Sequence, residues 1–181
     1  IREGGKAGFD AAASRTGSFA DAGFVQAGQD LLDLIAMNPF PEGYLGFTYG
    51  DSATAFGNGE AAMELMGQWH PSTQASNSES GEGIGEALAW MPFPSMPNGA
   101  GGAGDLLGGG DAYVIGKDAP ATAVGFLKYL TSPEVQVRQV AVFGVPPTTA
   151  AAEAEITDPV MQQILAARNA AEYQQLYYDQ Y

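Results

Sequence analysis

The residues with the most conspicuous chemical potential lie in the stretch GAGGAGDLLGGGDAYVIGK, residues 99–117. It contains G-x-G-x-x-G at Gly99, Gly101 and Gly104, and it closes on Gly116-Lys117. Either pattern suggests phosphate binding. A dinucleotide fingerprint needs a strand before the glycines and a helix after them, so that the pyrophosphate meets a helix N-terminus. Here the continuation is Asp105-Leu106-Leu107 and then Gly108, Gly109 and Gly110. Each glycine costs a helix about 1 kcal/mol relative to alanine, so no helix starts there. The phosphate-loop pattern fails as well. Asp111 occupies its required first glycine, and Asp118 stands where Ser or Thr would hold magnesium. What remains is backbone freedom: glycine permits positive φ and close approach by a neighbour or a ligand.

Other chemistries find less support. The 21 acidic residues show no spacing that singles out the carboxylate pair of a glycosidase. His70 is the single histidine, with no G-x-S-x-G nucleophile motif in the chain. His-x-x-x-His and calcium-loop spacings are absent, and without cysteine there is no disulfide, thiol catalysis or thiolate-bound metal. Of the two tryptophans, Trp90 in ALAWMPF reads as packing. Trp69 stands between Gly67 and Pro71, flanked by Gln68 and His70, at the end of a predicted strand. Ligands bind at strand ends in α/β sheets, and an indole face suits the C–H face of a sugar ring.

Several elements must position these residues. From Asp21 the 3–4 spacing of Phe24, Gly28, Leu31 and Ile35 predicts an amphipathic helix, capped by Ser18 or Asp21 and stopped by NPFPEG at 38–43. Residues 1–17 are Gly/Ala-rich with a weak pattern. A helical turn is expected over Asp51–Phe56, a turn at Gly57-Asn58-Gly59, and strands over 61–67, 84–94 and 111–117. The polar segment 72–83 reads as a loop. Three helices follow: one with Ala123, Phe126, Leu127 and Leu130 on one face, one opened by Ser132-Pro133 and stopped by Gly144, and one opened by Asp158-Pro159. Alternating strands and helices favour an α/β fold.

A length of 181 residues suits one domain or two small lobes, and 45% hydrophobic with 15% charged residues is a globular composition. The net charge of −14 argues against nucleic acid and against anionic membrane surfaces. No apolar run reaches the ~20 residues of a membrane span. No signal peptide is visible, and the chain runs from Ile1 to an aromatic stretch at Tyr181, so a piece of a longer precursor is expected.

Several motifs occur in a telling order: the run from Gly59 to Trp69, MPFP at 91–94, LGGGDAYVIGKDAP at 107–120, AVGFLKYLTSPEVQ at 123–136, GVPPT at 144–148 and QLYYDQY at 175–181. This succession resembles the extracellular solute-binding proteins of carbohydrate ABC transporters, the group that includes maltose-binding protein. The resemblance implies a two-lobed periplasmic-binding-protein-like (type II) α/β fold, here an incomplete fragment lacking the first part of the N-terminal lobe. Residues 1–104 and 149–181 would belong to the C-terminal lobe and 111–144 to the N-terminal lobe, with crossings at 105–110 and 145–148. The glycine stretch would then be a hinge at the edge of the cleft. Trp69 takes the position that stacks on sugar in this family, Gly109, Gly110 and Asp111 border the cleft, and Tyr178 and Asp179 carry over from the YYD segment. His70 joins them by adjacency to Trp69. The expected partners are a sugar or oligosaccharide, a transmembrane permease and the missing lobe. The expected location is outside the cytoplasm, with no cofactor, metal or catalytic residue.

Overall fold

The computed structural model describes residues 1–178, and they form two compact units. One comprises Ile1–Phe40, Met91–Gly110 and the chain from Ala167 onward; the other comprises Pro41–Trp90 and Asp111–Ala166. The expected lobe boundaries are a different division, since here 111–166 groups with 41–90.

The first unit contains helices α1 (Gly5–Ala13) and α2 (Ala22–Ala36) and strands β1 (Leu106–Gly108) and β2 (Gln174–Leu176). The strands pair in parallel, Leu106 with Gln174 and Gly108 with Leu176. A buried arginine organises the first part of the glycine stretch. The Arg2 guanidinium donates to the carbonyls of Phe93, Pro94, Gly102, Ala103 and Asp105, the shortest bond being 2.6 Å to Gly102. Beside it, Ala100 N–H donates to Glu3 O and Gly101 N–H to Arg2 O. Gly101 has to be glycine here, because a Cβ would stand 2.4 Å from Ile1 O. Helix α1, hidden in the sequence by its glycines, is anchored by buried Phe9. The predicted amphipathic helix is present as α2 with Asp21 in the N-cap position, but without a side-chain capping bond: its carboxylate accepts from Ser18 N–H at 2.9 Å. No residue of α2 is buried, and Leu31 and Leu32 are more than half exposed.

The second unit contains α3 (Tyr49–Gly57), α4 (His70–Asn77), α5 (Thr122–Leu130), α6 (Pro133–Phe143), α7 (Ala150–Glu153) and most of α8 (Pro159–Ala170). Helix α3 opens with a capping box: Thr48 Oγ1 accepts from Asp51 N–H, and the Asp51 carboxylate accepts from Thr48 N–H. It packs on α4 so closely that a Cβ on Gly57 would stand 2.4 Å from Gln74 O. Ile156, Met161 and Leu165 form a small core with Val140 of α6 against it.

Two expectations are corrected. Residues 61–67, 84–94 and 111–117 form no strand among the described residues. A strand needs a neighbour for its peptide groups, and β propensity reports mainly a fit to a packed, pleated surface. Met63, Leu65 and Val114 are 81%, 76% and 90% exposed, so no such surface covers them. The first half of the predicted loop at 72–83 is instead α4, which runs to Asn77. Its polar side chains turn back on their own helix, Ser76 Oγ to Ser72 O and Asn77 Nδ2 to Thr73 O, while buried Gln74 accepts from Ile84 N–H. Pro71 in the first turn is the start signal that the polar composition masked.

Candidate functional site

Trp69 is the N-cap residue of α4, a position it fills without a side-chain hydrogen bond. Tryptophan is an unusual choice where Ser, Thr, Asp or Asn would satisfy the first amides. The indole is held by other means. Its Nε1–H donates 2.9 Å to the hydroxyl of Tyr49, the first residue of α3. Its six-membered ring lies over Gly67, where a Cβ would stand 2.3 Å from Cη2. The carbonyl of Trp69 accepts from the hydroxyls of Ser72 and Thr73. The side chain is thus only partly buried and is fixed at its edge, while Tyr49 beside it is 54% exposed.

His70 has a setting that its adjacency to Trp69 did not suggest. It is 6% exposed. Its Nε2 lies 2.6 Å from Glu64 Oε2, within ion-pair distance but off the line of a well-formed hydrogen bond, and Nδ1 has no hydrogen-bond partner among the described residues. Ser52 Oγ–H of α3 donates 2.8 Å to Glu64 Oε1. The ring of Phe56 is 5.5 Å from the imidazole, centroid to centroid. A cavity of about 60 Å³ adjoins the pair, lined also by Met66, Leu88, Trp90 and Ile164. Trp90, read as packing, is half-buried on this cavity wall.

The glycine pair and the C-terminal aromatic segment come together in the first unit. Tyr177 N–H donates 3.0 Å to Gly108 O, extending the parallel pairing past Leu176. Gly109 and Gly110 therefore leave the carboxyl end of β1 where Tyr177 and Tyr178 leave the carboxyl end of β2. The carboxyl ends of parallel strands are the usual ligand side of such sheets. Gly109, Gly110 and Asp111, next in the chain, are exposed. The Tyr178 ring is stacked on Phe9 at 3.8 Å and meets Phe19 edge-on, so one of its faces is already covered. Asp179 lies outside the described residues.

Trp69, His70 and Asp111 thus belong to the second unit, and Gly109, Gly110 and Tyr178 to the first. Sequence reasoning missed Tyr49, Glu64 and Ser52. Tyr49 carried a usable signal, because T-Y-G-D places it directly after the capping threonine and so on the first turn of a helix. Glu64 carried none: an acid inside AAMELMG reads as an interruption until its partner is known. Among the described residues no three His, Cys, Asp or Glu side chains group to hold a metal, and no helix is long and apolar enough to cross a membrane.

Comparison with known proteins places this geometry in context. The sequence profile of the family described as bacterial extracellular solute-binding protein matches residues 2–137. A solved structure described as a chitin oligosaccharide binding protein superposes with a TM-score of 0.73 at 25% identity, covering 99% of this chain and 45% of that one. The chain therefore spans less than half the length of that structure. No curated protein matches the sequence.

Proposed function

The chain belongs to the bacterial extracellular solute-binding protein family, and we propose that it binds a sugar or oligosaccharide without catalysis and serves a carbohydrate ABC transporter. The observation that carries this reading is Trp69, partly buried and held at its edge by Tyr49 and over Gly67. An indole fixed in this way loses little freedom when a sugar ring stacks on it, so less of the contact energy goes into ordering. The oligosaccharide named for the matched structure makes a chitin oligosaccharide the first ligand to try.

In this reading the sugar lies in a cleft between two lobes, with 105–110 and 145–148 as crossings. Closure follows because only the closed state makes both sets of contacts. In this reading Asp111, Gly109, Gly110, Tyr178 and Asp179 are the further ligand contacts, the carboxylates accepting from sugar hydroxyls. The loaded protein docks on a membrane permease, outside the cytoplasm. The exposure of Tyr113, Val114, Phe126 and Tyr129, each above 45%, supports an N-terminal lobe completed by polypeptide that covers this apolar surface.

The test is a thermal-shift panel of oligosaccharides on the complete gene product, with mass analysis of each sugar afterwards. At a hundredfold excess over Kd, a bound sugar stabilises by about 2.7 kcal/mol. A shift with the sugar recovered intact supports the reading. Cleaved sugar, or no shift across the panel, overturns it.

A further inference from the structure

We propose that Glu64 is a positioning residue for Trp69, acting through His70; as a statement about ligand binding this rests on the function proposed above. Helix α4 begins without a side-chain cap, because its N-cap residue is Trp69 itself. Something else must fix the start of the helix if the indole is to keep one orientation. Glu64 supplies it. The carboxyl group is largely removed from water, its side chain 10% exposed, and a polar group in that setting needs partners. On α3 the Ser52 hydroxyl hydrogen-bonds Oε1, and on α4 the imidazole of His70, the first residue, lies 2.6 Å from Oε2 without forming a well-aligned hydrogen bond.

Two tethers therefore run from α3 to the start of α4. Tyr49 and Ser52 are three residues apart on α3, hence on the same helical face. The outer tether is Tyr49 to the Trp69 indole, and the inner one is Ser52 to Glu64 to His70. Trp69 and His70 are consecutive, so the inner tether fixes the backbone from which the indole projects, and the outer one fixes its rotation. Gly67, beneath the indole and only three residues from Glu64, leaves the ring room to lie down. His70 on this account touches no sugar; its contribution is made from inside the unit.

The experiment uses the complete gene product carrying Trp90→Phe, which keeps an aromatic ring on the cavity wall, with any tryptophan outside these 181 residues also replaced by Phe, so that Trp69 is the emitter. Acrylamide quenching of Trp69 is measured without ligand, together with affinity for a chitin oligosaccharide probe and the melting temperature, in Glu64→Ala, Glu64→Gln and Ser52→Ala. Glu64→Ala is expected to make Trp69 more quenchable and to weaken the probe roughly 2- to 30-fold, the span of indirect coupling effects. Glu64→Gln, which still accepts from Ser52, is expected to recover part of both losses. A merely structural role would lower the melting temperature and leave quenching in the folded protein unchanged, and that result overturns the proposal. Should Glu64→Ala fail to fold, Ser52→Ala and Glu64→Gln carry the same comparison. If the parent protein binds no sugar but quenching still responds to Glu64, the positioning stands and the proposed function falls. If the parent binds and Trp69→Ala weakens it while the Glu64 variants match the parent, the function stands and the positioning falls.

Discussion

The indole N–H of Trp69 donates a 2.9 Å hydrogen bond to the hydroxyl of Tyr49, joining the first residue of α3 to the residue that opens α4. The two are 20 residues apart in the chain and become one aromatic pair, Tyr49 exposed and Trp69 partly buried. Because Tyr49 accepts in this bond, its own hydroxyl proton is not used by it. Removing the acceptor with Tyr49→Phe is expected to cost about 0.5–1 kcal/mol, the low end for a solvent-accessible bond. Trp69 fluorescence should become easier to quench, because the ring is then free to turn. Unchanged stability and quenching would show that the bond does not restrain the indole.

The close approach of α3 to α4 gives a second test. A Cβ on Gly57 would stand 2.4 Å from Gln74 O, inside any tolerable contact, whereas one on Gly28 of α2 meets nothing within 4 Å. Gly57→Ala is expected to destabilise by about 1–3 kcal/mol through forced backbone movement. Gly28→Ala is expected to stabilise by about 0.5–1 kcal/mol, since alanine is the better helix former. Urea melts of the two variants should therefore move in opposite directions.

Acid should act on the start of α3. The Asp51 carboxylate accepts from the backbone N–H of Thr48 at 2.8 Å and from its hydroxyl at 2.7 Å, and these bonds hold its pKa below the ordinary 3.8. The folded state then takes up the proton less readily than the unfolded state. The stabilisation is complete above 3.8 and is lost as pH falls through the lower folded value. Asp51→Asn removes the titration. Its stability deficit relative to the parent should be constant above pH 5 and shrink below pH 4; a deficit that persists unchanged into strong acid contradicts the capping role.

Arg2 offers a test in the other unit. Its guanidinium reaches carbonyls before and within the glycine stretch, from Phe93 to Asp105, a span that suits a rigid fork of donors. A lysine ammonium has fewer donors and no fork. Arg2→Lys is expected to destabilise this unit by on the order of 3 kcal/mol, because carbonyls gathered around a charge are left unsatisfied. Hydrogen exchange at Gly99, Ala100 and Gly101 should accelerate first, since the backbone bonds of Ala100 and Gly101 run to Glu3 and Arg2. Protection equal to the parent's would remove Arg2 from its role.

Helices with strong punctuation were readable from the amino-acid pattern. Asn38 and the two nearby prolines end α2, Ser132-Pro133 opens α6, and Gly144 stops α6 in a left-handed conformation with φ +64. Trp69 stood out for its placement between glycine and proline, and its role as a sugar platform rests on the proposal above. The strands were not readable, because pairing depends on a partner and propensity at Val114 or Leu65 says nothing of what lies alongside. The pairing of Gly108 with Leu176, which brings the glycine pair to the YYD segment, spans a separation that no local pattern encodes. The burial of His70 was invisible for a similar reason. Its neighbour in the chain is an exposed-edge tryptophan, whereas its neighbour in space is the carboxylate of Glu64.

The central claim is that Trp69 is the stacking platform for a sugar. It is tested most directly by titrating a chitin oligosaccharide into the complete gene product and its Trp69→Ala and Trp90→Phe variants by calorimetry. The account predicts measurable binding by the parent, a loss of tenfold or more (about 1.4 kcal/mol or greater) for Trp69→Ala, and near-parent affinity for Trp90→Phe. Equal affinity in Trp69→Ala and the parent, with both folded, would contradict it.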